Sequence, residues 1–195
     1  MADKSFEREA SKRLFAEEFR ATKFSRKFSD EEKAPTFVIT PTGAVANRML
    51  ISGVMTRKEK KDQKGGGGVF YRAAINDNTG NFFVSATSYQ PDALSEMAKI
   101  QAPSFVTIIG KPNLYETPDK TMLASVRVED IIVVDKETRE EWIIDTAEST
   151  LKRIALMEAG TDKAYNEAKQ MYGTDTKVFR LTVKKALESI LSQSA

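Results

Sequence analysis

VFYRAAINDNTGNFFVSATSY, residues 69–89, is the stretch that decides how this chain folds. Two runs rich in aromatic and branched residues, 69–76 and 81–89, flank the turn sequence Asp77-Asn78-Thr79-Gly80. Alternate side chains of a strand face opposite sides. One register therefore puts Phe82, Val84 and Ala86 inward, beside Tyr71, Ala73 and Ile75 from the first run. Phe83, Ser85, Thr87 and Tyr89 then face outward, with Phe70 and Arg72 next to them. Asn76-Asp77-Asn78-Thr79-Gly80 has the look of a calcium loop opening, but the glutamate such a loop requires at its twelfth position is missing. Asn and Asp bonding their local backbone in a hairpin turn is the better reading.

Just upstream, RKEKKDQK at 57–64 carries five cations and two anions, and four glycines follow at 65–68. Such a segment reads as a bendable basic loop able to track a phosphate backbone. No G-K-[ST] follows the glycines, so they do not form a nucleotide-binding P-loop. A solvated loop that only keeps the protein soluble is the plainer alternative.

Further out, residues 36–40 form a short apolar strand ended by Pro41-Thr42-Gly43. Residues 46–58 form a longer one, in which Gly53 marks a bend. Residues 91–101 read as a short helix opened by Pro91 and Asp92. Residues 104–110 (SFVTIIG) are a strand, 111–121 a loop, and 122–135 the last strand. Three strands, a helix and two strands is the order of a five-stranded OB-fold barrel, with the helix closing its bottom. In that frame the basic loop joins strands one and two at the groove. Lys111, Tyr115 and Lys120 form the opposite rim.

Residues 1–34 are expected to be an N-terminal helical arm and linker. A helix over 5–22 would carry Leu14, Phe15 and Phe19 on one face, and Phe24 and Phe28 follow. Phe15, Phe19, Phe24 and Phe28 in so polar a stretch point to partner binding; packing back onto the body is the competing reading. Residues 35–135 are assigned to the barrel and 136–195 to a linker and C-terminal helical bundle. In the bundle, a first helix capped at Thr146 carries Leu151, Ile154 and Ala155 on one face and stops at Gly160. A second runs to Gly173, and a third follows with Phe179, Val183, Leu187 and Ile190 as its stripe.

Composition narrows the chemistry. There is no histidine and no cysteine, which removes the commonest general base, thiol nucleophiles, disulfides and the usual metal ligands. Adjacent carboxylates such as Glu140-Glu141 point apart. No catalytic constellation is visible, so a non-enzymatic protein with no cofactor and no metal is expected. No apolar run has the ~20 residues of a membrane span, and the first residues lack an apolar signal core. A cytoplasmic, nucleoid-associated protein without membrane contact is the expectation. A net charge of +2 is too small to announce nucleic-acid binding, so charge distribution must carry that argument.

Several segments, in order, carry a family resemblance: REASKRLFAEEF, APTFVITPTGAVANR, INDNTGNFFV, YQPDAL, APSFVTIIGKPNLYET and VVDKETREEWIIDTAESTLKRI. Together they resemble the archaeal replication protein A-associated proteins, single-OB companions of the single-strand binder replication protein A. The resemblance covers most of the first 150 or so positions. It implies an OB-fold, a role in DNA replication or repair, and contact with a replication protein A subunit. Ser85 stands at an outward position where some relatives are expected to have an aromatic. The chain after Gly160 occupies the place of the winged-helix tail of the middle eukaryotic subunit, but reads as a helical bundle.

The expected function is an accessory subunit of a hetero-oligomer. It would bind single-stranded DNA through the barrel and a replication protein A large subunit through helices. Stacking falls to Phe70, Phe83 and Tyr115. Phosphate contact falls to Arg48, Arg57, Lys58, Lys60, Lys61, Arg72 and Lys111, with Ser85 between. Leu14, Phe15, Phe19, Leu151, Ile154 and Ala155 are the expected partner-binding residues. An assembly module with little DNA affinity, and an RNA-binding OB module, are the alternatives.

Overall fold

The computed structural model describes residues 9–31, 34–62 and 68–192. The elements run α1 (Ala16–Arg20), β1 (Phe24–Lys27), β2 (Thr36–Ile39), β3 (Val45–Ala46), β4 (Met49–Asp62), β5 (Val69–Asn76), β6 (Asn81–Ala86), α2 (Pro91–Lys99), β7 (Ser104–Glu116), β8 (Met122–Val133), α3 (Lys136–Ala159), α4 (Lys163–Tyr172) and α5 (Thr176–Leu191).

β4, β5, β6, β8 and β7 close a five-stranded barrel, and only the β6–β8 pair is parallel. Branched and aromatic residues at every second position fill it: Ile75, Phe82, Val106, Ile108 and Val126. Met97 of α2 plugs one end from the slot between the third and fourth barrel strands. Gly53 is where β4 presses on its neighbour. A Cβ there would stand 2.4 Å from the Asn76 carbonyl oxygen, and a bulge follows between Met55 and Arg57. The 36–40 strand is outside the barrel. As β2 it pairs with β1 and β3 in a separate small sheet.

The described N-terminal residues pack back onto the barrel. Of the helix expected over 5–22, the part before residue 9 lies outside the described residues, and only Ala16–Arg20 is helical. Leu14, Phe15 and Phe19 are fully buried, with Phe15 edge-on to Trp142 and Phe19 against Phe82. Burying such a side chain is worth about 1.5–3 kcal/mol, so these residues serve the core and are withdrawn from any partner surface. Lys12 also bridges to Met49, its N–H donating to the Arg48 carbonyl at 2.9 Å.

The first C-terminal helix starts at Lys136, ten residues before the expected cap, with no linker. Asp135 caps it by accepting the Thr138 N–H at 2.8 Å, and Thr146 donates from mid-helix to the Trp142 carbonyl. Gly160 and Gly173 end α3 and α4 in the left-handed conformation, as their positions imply. Val183 and Ala186 of α5 join the same core as the barrel. Tyr172 of α4 ties down the small sheet: its hydroxyl donates to the Ile39 carbonyl and accepts the N–H groups of Lys23 and Phe24.

A buried ion pair joins these layers. Glu18 accepts from the hydroxyls of Thr40 and Thr42 at 2.6 and 2.5 Å and from the Arg153 guanidinium at 3.0 Å. Arg153 also donates to Thr42 and Thr150. With both charges hydrogen-bonded, desolvation is offset and α1, the β2–β3 turn and α3 share one arrangement.

Candidate nucleic-acid interface

Residues paired directly across a sheet point the same way, so the register fixes the outer face of the barrel. Phe83 pairs with Ala74 and Ala74 with Arg57; Ser85 pairs with Arg72 and Arg72 with Glu59; Phe70 pairs with Lys61. Across the parallel step Ser85 meets Arg127, which pairs with Lys111, followed by Asn113 with Ser125 and Tyr115 with Leu123. One continuous surface thus carries three aromatics, Phe70, Phe83 and Tyr115, among Arg57, Lys61, Arg72, Lys111 and Arg127. Phe83 is 44% exposed and Tyr115 56%, while neighbouring Phe82 is fully buried. The inward and outward assignment of the hairpin is therefore as the sequence implies.

Four expectations change. Residues 57–62 are not a loop but the outer half of β4, so their side chains alternate between two faces. Of the glycines expected as a flexible tip, 65–68, only Gly68 lies among the described residues. Lys58 is taken: its ammonium donates to the carbonyls of Met97, Ala98 and Ile100 at 3.0, 2.7 and 2.5 Å and lies over Tyr71. It serves as the C-terminal cap of α2 and is not free for phosphate. Lys60 pairs with Tyr71 and so points away from the Phe70–Phe83 face. Lys111 and Tyr115 stand on β7, which continues through a bulge at Ile109–Gly110 to Glu116; the rim loop is only the turn around Lys120.

The face's charges are partly answered from within. Glu59 sits between Arg57 at 3.3 Å and Lys61 at 3.1 Å. The Lys61 ammonium, aided by Arg57 and Arg72, holds its carboxyl below the usual carboxylate range. Arg48 is half-buried and bonded to Glu129 at 2.7 Å, with Lys111 3.9 Å from the same carboxylate. Arg72 stacks over Phe70 at 5.2 Å, an aromatic-cation pair set on the surface. Arg127 has no ion pair or side-chain hydrogen bond among the described residues.

Sequence reading missed Arg127, Asn113, Ser125 and Asn47. They line a recess of about 440 Å³ with Ser85 and Lys111, bounded on one side by the start of β2. The signal was present. Leu123, Ser125 and Arg127 alternate with the buried or near-buried Ala124, Val126 and Val128, a period of two that places the first set outward.

No family model matches the chain, and no curated protein matches it by sequence. Solved structures do resemble it. A chain of a replication protein A heterotrimer bound to single-stranded DNA aligns over 72% of this chain and 94% of its own, at 12% identity and a TM-score of 0.50. The barrel is an OB-fold. A chain of the S. pombe Stn1–Ten1 complex aligns over 79% and 96% at 12% identity, with a TM-score of 0.48. The S. cerevisiae mitochondrial single-stranded DNA-binding protein Rim1 aligns over 45% and 95% at 12% identity, with a TM-score of 0.37. At such identities the likeness speaks for the OB-fold alone.

Among the described residues there is no cluster of three metal-ligating side chains. No described helix is long and apolar enough to cross a membrane.

Proposed function

We propose that this OB-fold chain is a non-catalytic accessory subunit that binds single-stranded DNA on the outer face of β4–β8 and a larger replication protein A chain through its helices. The observation that carries the DNA reading is the solvent-facing Phe83 and Tyr115 standing in one surface with Arg57, Lys61, Arg72, Lys111 and Arg127. Aromatic faces stack bases without regard to sequence, and flanking cations track the backbone. The sequence resemblance and the overlap with a DNA-bound replication protein A chain support the same reading.

The test is equilibrium binding of the whole chain to labelled single strands across a salt series. With about 3–5 phosphates neutralised, log affinity falls against log salt with a slope of roughly −2 to −4. Equal or tighter binding to a duplex of the same length would falsify the stacking mode.

A second reading is an assembly module with little DNA affinity of its own. The internal pairing of Arg57, Lys61 and Arg48 with Glu59 and Glu129 favours it. It requires salt-independent, negligible binding in the same experiment.

A further inference from the structure

We propose that the recess between β6, β8 and β7 reads one base of the bound strand, and that this base is guanine. The inference rests on the single-strand reading above and adds sequence preference to it.

Three features set the recess apart from the aromatic face beside it. Its volume of about 440 Å³ falls within the ~300–1,000 Å³ typical of small-ligand sites and is far larger than one phosphate needs. Its lining is polar, with no aromatic ring to stack a base indiscriminately: Asn47, Ser85, Lys111, Asn113, Ser125 and Arg127 converge on it. Most of its donors and acceptors are also unspent, the exceptions being the Ser125 hydroxyl, which donates to the Asn113 carbonyl at 3.5 Å, and the Thr87 hydroxyl, which donates to the Gln90 side chain. Arg127 has no ion pair, Lys111 has a single distant one, and no hydrogen bond engages the side chains of Asn47 or Asn113 among the described residues.

The composition of the lining selects the base. Two cations supply donors only, while the amides of Asn47 and Asn113 and the hydroxyl side chains of Thr36, Ser85, Thr87 and Ser125 supply acceptors beside them. Guanine presents N7 and O6 as adjacent acceptors, the pair that arginine meets bidentately, and its N1–H and N2–H₂ as adjacent donors for amide and hydroxyl oxygens. Adenine offers no carbonyl to the cations. A pyrimidine has no N7 acceptor beside its carbonyl. A phosphate would engage the two cations and leave the amides idle.

The position fits a strand already held next door. Ser85 is two residues beyond Phe83 on the same outward side of β6, and Asn113 is two residues before Tyr115 on β7. A base stacked on Phe83 leaves its neighbour at the mouth of the recess.

The experiment uses the full chain and fluorescence anisotropy with a thymidine oligomer of roughly 12 nucleotides, within the site size of one OB-fold. Its central nucleotide is replaced in turn by guanosine, adenosine, cytidine or an abasic site. A single guanosine raises affinity about tenfold over the parent oligomer, the discrimination one well-bonded base edge provides. Adenosine, cytidine and the abasic site give no such rise. Asn113→Ala with Ser125→Ala, both away from the core, brings the guanosine oligomer down to the affinity of the parent. Parent binding without base preference overturns this inference and leaves the proposed function standing. An equal gain from the abasic site assigns the recess to the backbone and overturns it too. So does a preference that survives the double substitution, or one for another base. Failure to bind any oligomer overturns the proposed function itself.

Discussion

The Asp77 carboxylate, at the tip of the β5–β6 hairpin, accepts the backbone N–H of Ala16 at 2.7 Å, across 61 positions of sequence. α1 has no capping side chain of its own at Phe15. The hairpin supplies one, and the Thr79 hydroxyl takes the next N–H, that of Glu17, at 3.2 Å. The other Asp77 oxygen closes the turn by accepting from Thr79 and Gly80. One buried carboxylate thus holds the turn and docks the N-terminal segment on the barrel.

Asp77→Ala should accordingly cost more than a turn residue usually does. A lost helix cap costs about 1 kcal/mol. The donors left unsatisfied in the interior cost about 1–3 kcal/mol more. Urea unfolding should show a loss of roughly 2–4 kcal/mol on these grounds. A change below about 0.5 kcal/mol, the range of ordinary surface substitutions, would show that water can replace the carboxylate.

Phe82 and Phe83 separate stability from binding at adjacent positions. Phe82→Ala opens a cavity inside the barrel and should cost about 3–5 kcal/mol of stability. Phe83→Ala removes an exposed ring and should leave the melting temperature nearly unchanged while lowering single-strand affinity by about 1–3 kcal/mol. The converse pattern would mean that the hairpin register is slipped by one residue.

This hairpin was legible in sequence because inward and outward residues differ sharply in polarity over a period of two. The same alternation weakens where a strand leaves the core. Residues 57–62 pair along their whole length with β5, yet both their faces are polar, so they read as a loop. Lys111 to Glu116 reads as a loop for a similar reason, with Pro112 and Asn113 inside it, although Ala124 and Val126 on β8 show where it pairs. The N-terminal phenylalanines are ambiguous in sequence for another reason. Their periodicity says that they bury a face, but not against what, and the answer lies in Phe82 and Trp142, distant in sequence. In the same way the Lys58 ammonium belongs to α2 because of how the chain closes, which local charge cannot reveal.

Arg139 is the least comfortable residue in the core. It is 1% exposed, and among the described residues none of its three guanidinium nitrogens has a hydrogen-bond partner; the guanidinium lies 5.7 Å from the Phe105 ring. Burial pulls its pKa below the ordinary guanidinium value, with Glu140 and Asp77 opposing. A buried charge without bonded acceptors is a net cost, and an apolar side chain of similar length removes it. Arg139→Met should stabilise the fold by about 1–3 kcal/mol in urea unfolding. A loss of stability would mean that the ring contact and the two carboxylates outweigh desolvation.

The last expectation concerns where a partner chain could sit. Helical spacing in the sequence groups Ile154 with Leu151 and Ala155 as one docking face, but α3 turns Ile154 fully into the core. The outward stripe is instead Ile144, Leu151 and Ala155, spaced by seven and four positions, with Ile144 53% and Leu151 36% exposed. Positions at that spacing share one side of a helix. Two branched residues left in water at that spacing are what an apposed helix would cover. Ile144→Asp with Leu151→Asp should leave the melting temperature of the free chain within a few degrees, since surface changes rarely exceed about 0.5 kcal/mol. It should also abolish nuclease-resistant co-elution with a larger replication protein A chain from the same source. Retained co-elution would place the contact elsewhere. Exposed Val178 and Leu181 of α5 would then be the next residues to change.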